Sequence, residues 1–323
     1  MSAEGVASAM DIITHEDPLV KWREKKRKNM FIARKMCDAG FEDRGKRMMF
    51  CGTFLTRSKC PDCGRSTISS ANLCRDRLCP TCGWRLSLRK FSEMCATLQS
   101  MTDLNDYQAG FLTLTVKNCR PENLRYTIEK FSEDWNRFLA QRSVKPLLWG
   151  WARSLEITYN SRTKEFHPHY HVIVLTKDKY DQAFLQTFFK TRWQASARLP
   201  YEPITDYRAI GAKENARADI DEESFVKAIL ETYKYSVKSD DVQQMPLDIF
   251  RQFVSAISGI RFCSYGGAIK KARKELGFKE KEEPEDEKPQ IRCTCGSEML
   301  QEVLQWSFTD GEYKTLRQML AAV

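Results

Sequence analysis

The stretch His167-Pro168-His169-Tyr170-His171-Val172-Ile173-Val174-Leu175 holds three of the four histidines of this 323-residue chain and ends in four consecutive apolar residues. An apolar run of this length predicts a β-strand, in which alternate side chains lie on the same face. His169 and His171 would therefore project side by side, as two neutral imidazoles that bind one divalent ion must. The alternative is a surface cluster of histidines without a ligand.

A second strand is predicted directly before this one. Residues 151–159 alternate between apolar and polar side chains, with Glu156 on the polar face, which is the pattern of a half-buried strand. The polar stretch 160–165 predicts a turn that closes the two strands into an antiparallel hairpin, with Glu156 roughly opposite His169. Glu156, His169 and His171 would then share one face of the sheet.

Two imidazoles and one carboxylate make a mixed set of nitrogen and oxygen ligands. This set favours Mg²⁺ or Mn²⁺ and leaves the ion open to a substrate phosphate and water, whereas ligation by histidines alone would favour zinc. His167 is a competing third ligand, although Pro168 is expected to kink the strand there. The alternative for Glu156 is an ordinary exposed residue of the sheet.

Residues 222–238 predict a helix with one apolar face. At about 100° per residue, one arc of this helix contains Phe225, Val226, Ile229, Leu230, Tyr233 and Val237. Glu231, Tyr235 and Lys238 fall on the opposite side. Tyr233 is therefore predicted to lie in the core, and Tyr235 is predicted to be presented to a substrate.

A presented phenol beside a carboxylate and lysines can attack phosphorus. Tyr235 is the candidate nucleophile, and Glu231 is the candidate general base that activates water. Lys234 and Lys238 would favour the phenolate and hold the phosphate. The alternative is a solvated tyrosine on a charged helix face.

Six of the twelve cysteines lie between residues 51 and 90. The pairs Cys60-x-x-Cys63 and Cys79-x-x-Cys82 are separated by fifteen residues, a spacing typical of one structural zinc ion held by four thiolates. Cys74 is the candidate substitute ligand. Two further cysteines, at positions 293 and 295, have no evident partner pair in the sequence.

The formal net charge of +9 favours a polyanionic partner. Arg75, Arg77 and Arg85 lie within the cysteine-rich segment and are candidate phosphate contacts, together with Lys234. A solvated helix face is the alternative for the basic residues between positions 21 and 47. The chain lacks an apolar stretch of the ~18–20 residues that a membrane span needs and begins without a signal-peptide pattern, so a cytoplasmic protein with no membrane partner is expected.

The changes in composition along the chain predict five segments. They are a basic, helical N-terminal arm (1–50), a zinc-binding module (51–100), a catalytic domain of alternating strands and helices (101–275), a charged linker (276–290) and a C-terminal tail (291–323).

Taken in order, these motifs resemble those of the rolling-circle plasmid replication initiators, the Gram-positive plasmid branch of the HUH endonuclease superfamily. Residues 111–115 resemble the first motif, 167–171 the histidine motif and 231–235 the nucleophile motif, and Cys79-Pro-Thr-Cys82-Gly-Trp-Arg85 is typical of this branch. The resemblance covers roughly residues 60–275, and the ordered combination is far more specific than any one motif.

The resemblance implies an α+β fold, in which an antiparallel HUH endonuclease sheet is flanked by helices and preceded by the zinc-binding module. It implies metal-dependent, site-specific nicking and joining of single-stranded DNA at a plasmid origin. Tyr235 would become joined to the 5′ end, and Glu231 would direct water at termination. The implied partners are origin DNA, a host helicase and a single-strand-binding protein, and a homodimer is compatible with the family.

Two other classes of protein stay open. A mobilisation relaxase or a single-tyrosine transposase uses the same chemistry, but relaxases usually place the tyrosine before the histidine motif, whereas Tyr235 follows it here. Such transposases are generally shorter and lack the zinc module. A zinc-dependent DNA-binding protein with a degenerate site is the non-enzymatic alternative, and it predicts that Tyr235→Phe leaves every activity intact.

Overall fold

The described part of the chain contains two antiparallel sheets, one of five strands and one of four. The computed structural model describes residues 17–101, 107–210, 222–234, 237–279 and 292–320. These residues divide into two compact units, a central unit within Ser87–Lys281 and a terminal unit within Ala7–Leu86 and Glu282–Val323. The described chain is therefore an α+β protein, as predicted.

Helices and strands are present in both units. In chain order the described helices are α1 (Pro18–Asp38), α2 (Glu42–Phe50), α3 (Pro80–Gln99), α4 (Leu124–Ala140), α5 (Gln182–Ala197), α6 (Glu222–Tyr233), α7 (Ser239–Gln244), α8 (Leu247–Ala256), α9 (Gly267–Glu275) and α10 (Leu316–Leu320). The described strands are β1 (Phe54–Lys59), β2 (Ser66–Ala71), β3 (Gln108–Thr115), β4 (Leu148–Asn160), β5 (Glu165–Thr176), β6 (Thr205–Ala209), β7 (Cys263–Gly266), β8 (Leu300–Ser307) and β9 (Glu312–Thr315).

The sheet of the central unit has the strand order β6-β3-β5-β4-β7, so the histidine-bearing strand β5 lies at its centre. β4 and β5 form the predicted hairpin, and its register pairs Glu156 with His169 and Asn160 with Glu165. The predicted register is confirmed. Because side chains alternate along a strand, His169 and His171 lie on the same face as Ile173.

One face of this sheet is covered by α4 and α5. Phe131 of α4 stacks on Tyr170 of β5 with ring centroids 3.9 Å apart, and Trp193 of α5 meets Phe131 edge to face. The indole Nε1 of Trp193 donates a hydrogen bond of 2.9 Å to the main-chain oxygen of Thr115. These aromatic contacts fix the strands beneath the helices, since large rings bury much apolar area in defined geometries.

The opposite face, which carries the histidines, packs against α6 and α9. Its apolar core includes Phe91, Ala152, Ile173, Leu175, Phe225, Ile229, Tyr233 and Ile269. Tyr233 is 4% exposed, as predicted, whereas Leu230 on the same apolar arc is 42% exposed.

The terminal unit joins segments that are distant in sequence. Its sheet has the order β2-β1-β8-β9, and β1 pairs with β8 from Phe54 opposite Gln305 to Lys59 opposite Leu300. Trp22 of α1 belongs to the same apolar cluster as Trp306 of β8. The predicted arm, zinc module and tail thus contribute to one unit, because β8 supplies the neighbour that the β1–β2 hairpin would otherwise lack. Residues 280–290 of the predicted linker lie outside the described residues.

The basic N-terminal arm contains two helices, α1 and α2. The chain leaves α1 at Gly40, whose φ of +88° favours glycine. The buried Lys26 side chain of α1 contacts the end of α2, where its Nζ donates hydrogen bonds to the main-chain oxygens of Met49 and Cys51 at 2.6 and 2.7 Å. Part of the predicted basic patch is therefore internal.

None of the helices in the described part of the chain is both long enough and apolar enough to cross a membrane.

Candidate functional site

Three side chains meet on the central hairpin. The Oε2 atom of Glu156 lies 3.1 Å from Nε2 of His169 and 2.9 Å from Nε2 of His171. The three residues are 4%, 9% and 7% exposed. Glu156 comes from β4 and both histidines from β5, so the hairpin register alone brings the three side chains together.

The other nitrogen of each imidazole has its own contact. Nδ1 of His169 donates to the main-chain oxygen of His167 at 3.2 Å, and Nδ1 of His171 lies 3.3 Å from Oγ1 of Thr113 on β3. Because a carbonyl oxygen only accepts, Nδ1 of His169 is the donor in this contact, and Nε2 is the nitrogen that faces Glu156. Partners of this kind orient the imidazoles that bind metals.

Two lysines approach the carboxylate from the segment after α6. Nζ of Lys234 lies 3.8 Å from Oε2 of Glu156, and Nζ of Lys238 lies 3.6 Å from Oε1. Burial acts to raise the pKa of Glu156, but the hydrogen bonds with His169 and His171 and the charge of Lys234 hold that pKa well below its usual range. The carboxylate is therefore ionised at neutral pH.

Glu156, His169 and His171 fit a divalent ion. Each offers one ligand atom, and these atoms all lie within 4.8 Å of one another. Carboxylate oxygen with imidazole nitrogen, on one side of a sheet, is a set that Mn²⁺ or Mg²⁺ accepts.

His167 lies on the same face, opposite Thr158, and its ring stacks on that of His169 at a centroid distance of 5.3 Å. Its Nδ1 atom is buried and has no hydrogen-bond partner among the described residues. Burial, and then the neighbouring His169, lower the pKa of His167. The described ligand cluster contains Glu156 rather than His167.

The predicted helix 222–238 ends earlier than expected, at Tyr233. Lys238 has extended backbone geometry and is the N-cap residue of α7, whose first turn contains two aspartates. Acidic residues in a first turn stabilise the start of a new helix. The helical spacing that placed Lys238 on one face with Glu231 therefore does not apply.

Glu231 is half-buried near the end of α6 and forms an ion pair with Lys234. Lys234 contacts both Glu231 and Glu156, so it joins the two carboxylates. The predicted nucleophile Tyr235 lies outside the described residues.

The cysteines form two clusters instead of the one predicted. Cys79 and Cys82 lie with Cys51 and Cys74, whereas the second cluster contains Cys60, Cys63, Cys293 and Cys295. The assignment of both CxxC pairs to one ion is thus wrong. All eight thiols are free of disulfide bonds. Cys74, the candidate substitute ligand, does belong to the first cluster. Its neighbour Cys51 was not indicated by the cysteine spacing.

Both clusters have the dimensions of a tetrahedral thiolate site. In the first, Sγ of Cys51 lies 3.5 Å from that of Cys82 and 3.5 Å from that of Cys79. In the second, Sγ of Cys60 lies 3.5 Å from that of Cys295. Four sulfurs ~2.3 Å from a central zinc ion would be about 3.8 Å apart.

The predicted phosphate-binding arginines differ in their surroundings. Arg75 is exposed and has a positive φ of 59°. Arg77 is half-buried. The guanidinium of Arg85 lies 5.4 Å from the ring centroid of Trp22, so its packing contributes to the terminal unit as well.

Sequence reasoning missed Cys51 and Thr113. Cys51 stands alone in the sequence, without a CxxC partner, and only the fold shows its neighbours. Thr113 could have been found, because the alternating strand 111–115 pairs with β5 and sets it opposite His171.

Residues 65–314 match the family model described as Replication protein. The chain is 30% identical to Protein rep of Bacillus amyloliquefaciens over 80% of this chain and 82% of that protein. It is 30% identical to Protein rep of Lentilactobacillus hilgardii, over 79% and 82%, and 29% identical to Protein rep of Streptococcus pneumoniae serotype 2, over 79% of each. No solved structure gives a significant match. The matched span and these identities confirm the resemblance drawn from the motifs: the chain belongs to the Replication protein family, that of the rolling-circle plasmid initiators.

Proposed function

We propose that this plasmid replication initiator nicks and rejoins one strand of origin DNA through a covalent phosphotyrosine intermediate. The phenol oxygen of Tyr235 attacks the scissile phosphorus, a new oxygen–phosphorus bond forms and the bond to the 3′ oxygen breaks. The leaving 3′ oxygen takes up a proton and becomes the primer hydroxyl. Rejoining reverses these steps.

The observation that carries this proposal is the convergence of Glu156, His169 and His171 on the central hairpin of a replication protein. A divalent ion held there would polarise the scissile phosphate. The ionised Glu156 carboxylate supplies a negative charge for that ion. The Nδ1 contacts of His169 and His171 orient the two imidazoles toward it. The family resemblance supports an HUH endonuclease sheet in this unit.

The lysines supply positive charge beside the same carboxylate. Lys234 and Lys238 flank Tyr235 in sequence, and each places its ammonium within 4 Å of Glu156. A DNA phosphate that approaches the cluster would meet both ammonium groups, which can hold its oxygens and favour the tyrosine phenolate.

Glu231 is proposed to act after the nick. Its ion pair with Lys234 holds the Glu231 carboxylate beside the site. At termination that carboxylate would take a proton from water, and the water oxygen would form a bond to the scissile phosphorus in place of a second phenol. The bond from that phosphorus to the 3′ oxygen would break, and the leaving oxygen would take up a proton to become a 3′ hydroxyl.

The proposal is tested with supercoiled plasmid that carries the gene for this chain, in the presence of Mn²⁺ or Mg²⁺. Wild-type protein should give nicked plasmid and a DNA adduct on the peptide that contains Tyr235. Tyr235→Phe should bind the DNA and yield neither product. Tyr233→Phe is the matched control, because its ring is buried in the core, and it should nick normally.

An adduct formed by Tyr235→Phe would show that the nucleophile is wrong. Binding by the wild-type protein without nicking, with origin DNA and metal present, would favour the zinc-dependent DNA-binding alternative. Helicase, single-strand-binding protein and homodimer partners stay predictions from the family.

A further inference from the structure

We propose that Cys60, Cys63, Cys293 and Cys295 bind a second structural zinc ion, separate from the Cys51–Cys74–Cys79–Cys82 cluster, and that this ion fastens the segment after residue 291 to the β1–β2 hairpin. The sequence pairing of the two CxxC motifs left Cys293 and Cys295 without partners. The fold supplies them.

Strand pairing explains why these cysteines meet. The β1–β8 ladder ends where Lys59 faces Leu300. Cys60 and Cys63 follow β1 directly, and Cys293 and Cys295 precede β8, so both pairs extend from the same end of the same two strands. Sγ of Cys63 lies 3.5 Å from that of Cys293 across a separation of 230 residues.

Each cysteine pair lies in a tight turn shaped to present sulfur. In the first, the main-chain N–H of Cys63 points to Sγ of Cys60 at 3.5 Å, and Gly64 follows with φ of +72°. In the second, the N–H of Gly296 donates to the oxygen of Cys293 at 2.9 Å, with φ of +95° at Gly296. Two such turns that face each other can complete a tetrahedron of thiolates.

The surroundings suit a structural ion rather than a reactive thiol group. Polar contacts tie the two turns together, since Ser297 Oγ donates to Asp62 Oδ2 at 2.5 Å and Arg65 donates to Thr294 Oγ1. Met299 packs against the buried Cys60 and Cys293. With four sulfur ligands the site is closed, and a closed site of this kind adds to folding stability without catalysing a reaction.

The first test counts metal. Full-length protein carrying His169→Ala and His171→Ala removes the carboxylate–histidine cluster as a source of bound zinc. After zinc loading and desalting, elemental analysis should find two zinc ions per chain. One ion or none, or iron in place of zinc, would overturn the proposal.

Variants in the same background then assign the second ion. Cys293→Ser with Cys295→Ser should lower the content to one ion per chain, and Cys37→Ser, which alters a cysteine outside both clusters, should leave it at two. Two ions retained in the Cys293/Cys295 double variant would refute the assignment.

Alkylation of the wild-type protein tests the proposal even if the Cys293/Cys295 double variant does not fold. Cys63 and Cys295 are exposed. Unligated thiols at these positions would therefore react with iodoacetamide at about pH 8.5, where a free cysteine is partly thiolate. In zinc-loaded protein we expect both residues to be protected until a strong chelator is added. Rapid alkylation of Cys295 in zinc-loaded protein would contradict the proposal even if the variants were uninformative.

Discussion

Replacement of Glu156 by glutamine should show whether Glu156 or the competing residue His167 is the third metal ligand. The amide has the shape of the carboxylate but no charge. A divalent ion ~2.1 Å from a carboxylate oxygen is attracted by about 4 kcal/mol even at the dielectric constant of water. Because about 1.4 kcal/mol corresponds to a factor of ten, removal of the charge alone could cost about 1,000-fold in affinity.

Two structural details adjust this estimate. The glutamine oxygen can still act as a neutral ligand, which reduces the loss. Lys234 and Lys238, both within 4 Å of the carboxylate in the wild-type protein, would keep their charge and repel the ion. We therefore expect the Mn²⁺ dissociation constant of Glu156→Gln to rise about 100- to 1,000-fold.

Calorimetric titration of Mn²⁺ into protein whose carboxylate–histidine cluster has first been freed of zinc by mild chelation gives the dissociation constant directly. Glu165→Gln is the matched control, since Glu165 lies at the start of the neighbouring strand β5 and outside the cluster. His167→Ala should change the constant less than about threefold, because its ring stacks on His169 without reaching the ligand atoms. A similar loss of affinity in His167→Ala, or a loss below fivefold in Glu156→Gln, would refute the assignment of the third ligand.

Three further changes test other parts of the structure. Gly110→Ala should lower the free energy of unfolding by about 1–3 kcal/mol in urea denaturation, because the new Cβ would lie 2.2 Å from the ring of the buried Tyr207; a change below 0.5 kcal/mol would contradict that packing. Lys26→Met should lower the free energy of unfolding by about 2–4 kcal/mol, because it leaves two main-chain oxygens unpaired. The control Lys21→Met, at an exposed position, should have little effect, and equal stabilities of the two variants would be inconsistent with the buried contacts of Lys26. Glu231→Ala should nick plasmid at the wild-type rate yet accumulate covalent adduct in gel assays, and normal release would remove its proposed role in termination.

Local patterns were sufficient for the hairpin that carries the site. Alternation in 151–159 and the polar turn before Glu165 fix the register, and the register fixes which three side chains meet. The same kind of evidence failed at the end of α6. The spacing of apolar residues predicted a helix that continues to Lys238, whereas α6 ends at Tyr233. The acidic pair Asp240-Asp241 indicates the first turn of a new helix. Because Lys238 is the N-cap residue of that helix, the preceding helix must end before Lys238.

The grouping of the cysteines could not be read from spacing, for a different reason. Fifteen residues between two CxxC motifs is a distance along the chain, whereas ligand sets depend on distances in space. The pairing of β1 with β8 depends on contacts between residues more than 200 positions apart, and no local period in the sequence reports such contacts.

The pairing of β1 with β8 also has a consequence for the order of events during synthesis. β1 emerges from the ribosome long before β8, because 230 residues separate Cys63 from Cys293. At 5–20 residues per second, this interval lasts roughly 12 to 46 s. Throughout it, one edge of β1 has no strand beside it, and such an edge can pair with other chains. We therefore expect the nascent protein to depend on chaperones during this interval, and truncated products that end before β8 to be aggregation-prone and to be degraded.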